Sequence, residues 1–239
     1  MKIGVFDSGA GGLCALERLA ALLPGEEFLF FADRENAPYG TKCREELIAL
    51  CRADIAKLRE RGADRILIAC CTASTVYPFL TDGEKQVCTP ILFPAAKAAA
   101  AHARGRRVGV ISTEATARSG AFVREIRKIA PAAKVSSVAA QSLVALVESG
   151  VRDGRISQKD KEKISLALSP LPKEEIGALI LGCTHFSRLK RTIGELLPGV
   201  RIVDAAEEGA AALADRLIRE GSVPKRQPTG VRARITYLE

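Results

Sequence analysis

Apolar runs of strand length recur along the chain, and segments with helical spacing lie between them. Residues 2–6, 28–32, 66–69, 89–94, 108–113, 134–138, 178–182 and 201–203 read as strands. Most are filled by Val, Ile and Leu without polar alternation, which suits strands buried on both faces of a parallel sheet. Leu13, Leu16, Leu19, Ala20 and Leu23 share one helical face, as do Leu47, Ile48, Cys51, Ile55 and Leu58. Pro24-Gly25 ends the first of these helices, and Gly62 caps the second. Further helices are predicted over 95–103, 118–129, 143–150, 157–168, 187–197 and 206–220, with a short one ending near Leu80. Residues 224–234 read as a loop leading into a terminal strand.

The alternation of strands and helices predicts an α/β protein. Val108-Gly109-Val110-Ile111-Ser112-Thr113 parallels Ile3-Gly4-Val5-Phe6-Asp7-Ser8 at an offset of 105 residues. A second pair of segments shares one grammar of apolar run, small residue, Cys and Thr. These are Ile66-Leu67-Ile68-Ala69-Cys70-Cys71-Thr72 and Leu179-Ile180-Leu181-Gly182-Cys183-Thr184-His185, 113 residues apart from Cys70 to Cys183. Together they predict two similar parallel-sheet domains built on one plan. The first is expected to comprise 1–95 and 208–239 and to carry Cys70; the second, 96–207, carries Cys183. Residues just past the carboxyl ends of parallel strands face the crevice where α/β proteins bind ligands, so both thiols are expected in a cleft between the domains.

Composition narrows the class. The chain has 239 residues, 47% hydrophobic and 27% charged, and no apolar stretch nears the ~20 residues a membrane helix needs. Met1-Lys2-Ile3-Gly4 runs straight into a strand with no signal-peptide core. Seven cysteines in a chain of this size fit reduced thiols in the cytoplasm better than a disulfide scaffold. The net charge of +8 is scattered, and with three Tyr, eight Phe and no Trp there is little to stack on bases. A solvated basic surface that attracts small anions, not a nucleic-acid interface, is the expectation.

Candidate chemistry follows from the two tips. A thiolate is favoured by a neighbouring imidazole or a helix N-terminus; His185 is one of two histidines, and both tips lead into predicted helices. Structural zinc sites space their ligand pairs two to four residues apart, and adjacent Cys70-Cys71 does not fit. A cysteine phosphatase would need Cys-x5-Arg, whereas Cys183 to Arg188 is Cys-x4-Arg. A cysteine hydrolase using Cys183 and His185 leaves the matching tip unexplained. Two thiols facing one cleft suit proton removal from one face of a carbon centre and proton delivery to the other. Asp7-Ser8-Gly9-Ala10-Gly11-Gly12 is a glycine-rich turn that could hold an anion, but it matches neither G-x-G-x-x-G nor a P-loop. On position, Asp7 is either a helix cap or a site carboxylate. Tyr39 is either a loop anchor or a ligand contact, and Glu148 reads as a helix-end charge.

Four motifs together resemble the glutamate racemases of the aspartate/glutamate racemase superfamily: Gly4-Val5-Phe6-Asp7-Ser8-Gly9, Pro38-Tyr39-Gly40, Ala69-Cys70-Cys71-Thr72-Ala73-Ser74 and Gly182-Cys183-Thr184-His185. The resemblance extends over about residues 2–220. It implies a cofactor-independent interconversion of L- and D-glutamate that supplies D-glutamate for peptidoglycan, in a cytoplasmic homodimer without a metal. Cys70 and Cys183 would be the two acid/base groups, assisted by Asp7, Asp33, Glu148 and His185. Ser8, Pro38, Tyr39, Gly40, Cys71, Thr72, Thr113, Thr116 and Thr184 would cradle the amino acid. The sequence departs from the family at Cys71, where Asn is usual, replacing an amide by a weak donor. His185-Phe186-Ser187 also stands where His-Tyr-Pro is usual. A superfamily racemase acting on another amino acid such as aspartate, or a non-catalytic amino-acid-binding paralogue, are the alternative readings.

Overall fold

The computed structural model of the chain describes residues 1–226 and 230–238. Its nine strands are β1 (Lys2–Asp7), β2 (Glu27–Ala32), β3 (Arg65–Ile68), β4 (Cys88–Pro90), β5 (Arg107–Ser112), β6 (Val135–Ala139), β7 (Ile176–Gly182), β8 (Arg201–Asp204) and β9 (Arg234–Leu238). They form two all-parallel sheets, ordered β4-β3-β1-β2-β9 and β6-β5-β7-β8. Read from its other edge, the second sheet is β8-β7-β5-β6, the same order as β4-β3-β1-β2. Each half therefore places its first strand centrally, its second on one side, and its third and fourth on the other. Cys70 and Cys183 both follow the third strand of their half.

Burial explains the unbroken apolar runs. Every residue of β7 is buried, as are all but the first of β1 and β3. One core links the inward faces of both sheets, from Ile3, Val5 and Leu67 to Val108, Val110 and Ile180. The helix that follows β4, Leu92–His102, packs against β7, β8 and the helix Ala121–Ile129 of the second half. The helix that follows β8, Ala205–Arg219, packs back on β3, β4 and the helix Leu13–Leu22 of the first. The halves are thus joined by exchanged helices. At their crossing a side chain on Gly209 would come within 2.2 Å of Ile91 Cγ2, so only glycine permits this approach.

Several predicted elements differ in detail. The expected strand over 89–94 ends at Pro90, and Leu92-Phe93-Pro94 opens a helix instead. A first-turn proline has no intrahelical partner to lose, so Pro94 starts this segment rather than stopping it. The single helix expected over 118–129 is two, Glu114–Ser119 and Ala121–Ile129, broken at Gly120 with φ +62°. The helix expected over 187–197 begins as a 3-10 segment, Thr184–Leu189, before the α-helix Lys190–Leu196. The helix Asp82–Val87, set by a Thr81/Glu84 capping box, was not anticipated. Of the loop expected over 224–234, residues 227–229 lie outside the described residues. Among the described residues no helix is long and apolar enough to cross a membrane.

Candidate active site

The carboxyl ends of β1, β2, β3, β5 and β7 converge on a cavity of about 200 Å3. Cys70 and Cys71 line it from the first half, and Cys183, Thr184 and His185 from the second. Cys70 is the N-cap of the short helix Cys71–Ser74. Its Sγ accepts from the Ala73 backbone N–H at 3.5 Å and lies 3.6 Å from Ser8 Oγ. Burial pushes its ionisation up to about 11, with the Asp7 carboxylate adding to the rise and these donors opposing it. The second tip is built differently. Cys183 makes no side-chain cap bond, and its Sγ faces His185 Nδ1 at 3.7 Å. On the far side of the ring, His185 Nε2 lies 3.4 Å from Glu148 Oε1. Burial raises the Cys183 thiol well above its usual range and lowers His185. A neutral imidazole donating Nε2–H to Glu148 leaves the Nδ1 lone pair toward the thiol.

Two buried polar links tie the halves together beneath the thiols. Thr184 Oγ1 donates to Asp7 Oδ2 at 3.0 Å, and the Gly9 N–H donates to Asp7 Oδ1 at 2.8 Å. Asp7 is fully buried, which pushes its ionisation up to about 7 against these bonds. It is thus a buried strap between the two halves, and the helix Leu13–Leu22 takes its N-cap from Gly12 instead. The second link is a triangle of hydroxyls: Thr72 to Thr113 at 3.0 Å, Thr72 to Thr116 at 3.1 Å and Thr113 to Thr116 at 2.9 Å. Three rotatable O–H groups that satisfy one another here can turn outward to a carboxylate.

Tyr39 is anchored and also lines the cavity. Its ring is buried, and its hydroxyl lies 2.6 Å from Asp33 Oδ2 and 2.9 Å from Asp54 Oδ2. Burial pushes Asp54 up to about 7, with the Tyr39 hydroxyl opposing the rise and the Asp33 carboxylate adding to it. The two Tyr39 bonds fix the loop so that Pro38 and Gly40 line the cavity. Gly40 packs so closely that a side chain there would meet Thr113 Cβ and Gln141 Oε1 at 3.0 Å.

Of the residues singled out from the sequence, Ser8, Pro38, Tyr39, Gly40, Cys70, Cys71, Thr72, Thr113, Glu148, Cys183, Thr184 and His185 line the cavity. Asp7, Asp33 and Thr116 stand behind its wall, bonded to Thr184, Tyr39 and Thr72 respectively. Sequence reasoning missed Arg34, Gln141 and Val144, which also line it. Arg34 directly follows Asp33 at the tip of β2, so strand-end position was an available signal. Gln141 and Val144 follow β6, whose polar Ser136-Ser137 weakened its strand pattern.

The Asp/Glu/Hydantoin racemase family matches residues 15–213 of the chain. The chain belongs to that racemase family. A glutamate racemase of Gloeobacter violaceus is 38% identical over 220 residues, 91% of this chain and 81% of that protein. The crystal structure of glutamate racemase from Thermus thermophilus in complex with β-chloro-D-alanine superposes with a TM-score of 0.81 at 36% identity, covering 99% of this chain and 86% of that one. Glutamate racemase from Francisella tularensis in complex with D-glutamate gives 0.83 at 27% identity, covering 100% and 88%. The cavity thus brings together a thiol from each sheet and the threonines Thr72, Thr113 and Thr184. Among the described residues no cluster of three or more His, Cys, Asp or Glu is arranged to hold a metal ion.

Proposed function

We propose that the chain interconverts L- and D-glutamate without a cofactor, with Cys70 and Cys183 as the two acid/base groups. The observation that carries this reading is the placement of both thiols, from equivalent strand ends of two like sheets, on one small cavity. Burial keeps both as thiols in the ligand-free protein. The substrate's α-ammonium group brings a positive charge into this buried space, which favours a thiolate there. For Cys183 the proton has a destination in His185 Nδ1, with Glu148 holding the ring. For Cys70 the Ala73 N–H and the Ser8 hydroxyl stabilise the anion that forms. One thiolate takes the α-proton, the Thr72 and Thr113 hydroxyls hold the carboxylate as it gains enolate charge, and the opposite thiol returns a proton. Asp7, Asp33 and Thr116 position Thr184, Tyr39 and Thr72.

The side-chain carboxylate is read by Arg34, whose guanidinium lines the cavity and has no acidic partner among the described residues. The resemblance extends the proposal to a cytoplasmic homodimer supplying D-glutamate for peptidoglycan, with 1–95 and 208–239 forming one domain and 96–207 the other. The test is proton NMR of purified protein with L-glutamate, then L-aspartate, in D2O. Loss of the α-proton signal together with growth of D-glutamate is the expected result. No exchange with glutamate, or exchange with aspartate alone, overturns the assignment.

A further inference from the structure

The helix Gln141–Glu148 turns one stripe toward the thiol cavity: Gln141, Val144 and Glu148, spaced i, i+3 and i+7. The two ends of the stripe differ in kind. Glu148 is the one acidic residue on that wall among the described residues, and it faces His185 beside Cys183. Gln141 stands about 10 Å away along the helix axis, where Gly40 and Thr113 complete the wall.

The Gln141 carboxamide is held in one orientation. The Ala140 N–H donates to the Ser112 carbonyl at 2.8 Å, which sets the helix start against the end of β5. From there Gln141 Oε1 accepts the Glu114 N–H at 3.3 Å. A backbone N–H only donates, so the atom that meets it is the amide oxygen and not the nitrogen. The same oxygen packs against Gly40, where a side chain would come within 3.0 Å of it. With its acceptor engaged, the half-buried carboxamide keeps its NH2 for a ligand, since that group has no hydrogen-bond partner among the described residues. Arg34, in the loop that leads to Gly40, adds a guanidinium that likewise has no carboxylate partner among the described residues.

We propose that Gln141 is a specificity-determining residue, which donates together with Arg34 to the side-chain carboxylate of the amino-acid substrate. The inference rests on the racemase reading above and deepens it, since it makes the cavity select an acid over its amide. Placing the distal carboxylate at Gln141 keeps it far from Glu148, whose like charge would repel it. Flipping the carboxamide would set its NH2 against the Glu114 N–H, so Gln141 cannot turn an acceptor toward a substrate without losing its own bond. A side chain ending in a carboxamide brings one acceptor and an NH2, and that NH2 meets Gln141 or Arg34 donor to donor. Sites that leave polar groups unpaired with the wrong substrate discriminate strongly.

Two substitutions separate reading the substrate from propping the wall. Gln141→Glu keeps the acceptor for the Glu114 N–H and the shape packed on Gly40, but replaces the NH2 by an oxygen. Gln141→Met keeps the bulk and loses both polar groups. In steady-state racemisation of D-glutamate, KM should rise about tenfold in Gln141→Met and about 100-fold in Gln141→Glu, with kcat changed by less than about threefold in both. D-Glutamine, measured as a competitive inhibitor, should gain about tenfold or more on glutamate in Gln141→Glu relative to the native protein. A residue that only props Gly40 and Thr113 would give the reverse order, with the isosteric Gln141→Glu close to native. That order, an unchanged KM in both variants, or a loss confined to kcat overturns the proposal, and native turnover of glutamate in the same experiment leaves the racemase reading standing. If the native protein exchanges no α-proton of glutamate, the racemase reading fails first and the role of Gln141 falls with it.

Discussion

The two thiol tips occupy equivalent places in two sheets of one topology, yet their surroundings are opposite in kind. Cys70 caps a helix and is surrounded by donors, the Ala73 N–H and the Ser8 hydroxyl, with Asp7 nearby. Cys183 lacks a cap bond and instead faces an imidazole backed by a carboxylate. Donors stabilise an anion without carrying its proton away, whereas a neutral imidazole can accept one. On the proposed mechanism, the shared strand order places a thiol on each side of the substrate and the unlike tips give two routes to a thiolate.

The largest expected effect breaks both tips alike. Cys70→Ser and Cys183→Ser should each reduce racemisation by ~10^3-fold or more, because a hydroxyl is a far weaker acid than a thiol. Circular dichroism of L- and D-glutamate reaction mixtures measures the loss, and unchanged thermal unfolding checks the fold. A variant that turns over near the native rate ends the two-thiol account.

His185→Asn sharpens the asymmetry. It should lower kcat/KM by about 100-fold, the lower end of what a positioned proton carrier contributes. The loss must be equal in both directions, since the two enantiomers are isoenergetic. The α-deuterium isotope effect should nevertheless grow only for the enantiomer whose proton Cys183 removes. An equal growth for both would mean that His185 serves the tips alike.

Arg34→Gln probes what neither tip provides. Removing one rim guanidinium should raise KM for glutamate about tenfold at little cost in kcat, the modest size reflecting its exposure to solvent. Added salt should blunt the native advantage while leaving the variant unmoved. An unchanged KM would return the side-chain carboxylate to the hydroxyls and backbone groups of the cavity.

The smallest effect is a displacement in pH. With its ionisation pushed up to about 11, Cys70 is mostly thiol at neutral pH, and its thiolate fraction rises about tenfold per pH unit below that point. Alkylation by iodoacetamide, followed by mass spectrometry, should climb accordingly, with Cys183 lagging because burial raises it further. Asp7→Asn removes a charge that opposes the Cys70 thiolate and should move its profile to lower pH. No movement would place Asp7 outside the electrostatics of the first tip.

Much of this arrangement was legible in the residues. Apolar runs ending in small residues located the third strand of each half, because buried parallel strands leave little room for other compositions. The tips at Cys70 and Cys183 followed from the rule that strand ends face the crevice. The roles of Glu148 and Asp33 were not readable from spacing, since Glu148 meets His185 across 37 positions and Asp33 acts through Tyr39. Asp54 was hidden for a related reason. A carboxylate on the buried face of a helix looks like an error in periodicity until Tyr39 is seen to reach it. Arg34 was passed over because one cation in a loop with Glu35 beside it reads as solvated surface.

The most direct test of opposed, unequal thiols is deuterium wash-in at the α-carbon of each glutamate enantiomer with Cys70→Ser and Cys183→Ser. Each variant should retain exchange with one enantiomer, the opposite one in the two cases, without producing its mirror image. Exchange of both enantiomers by either variant, or of the same enantiomer by both, would contradict a thiol on each face of the substrate.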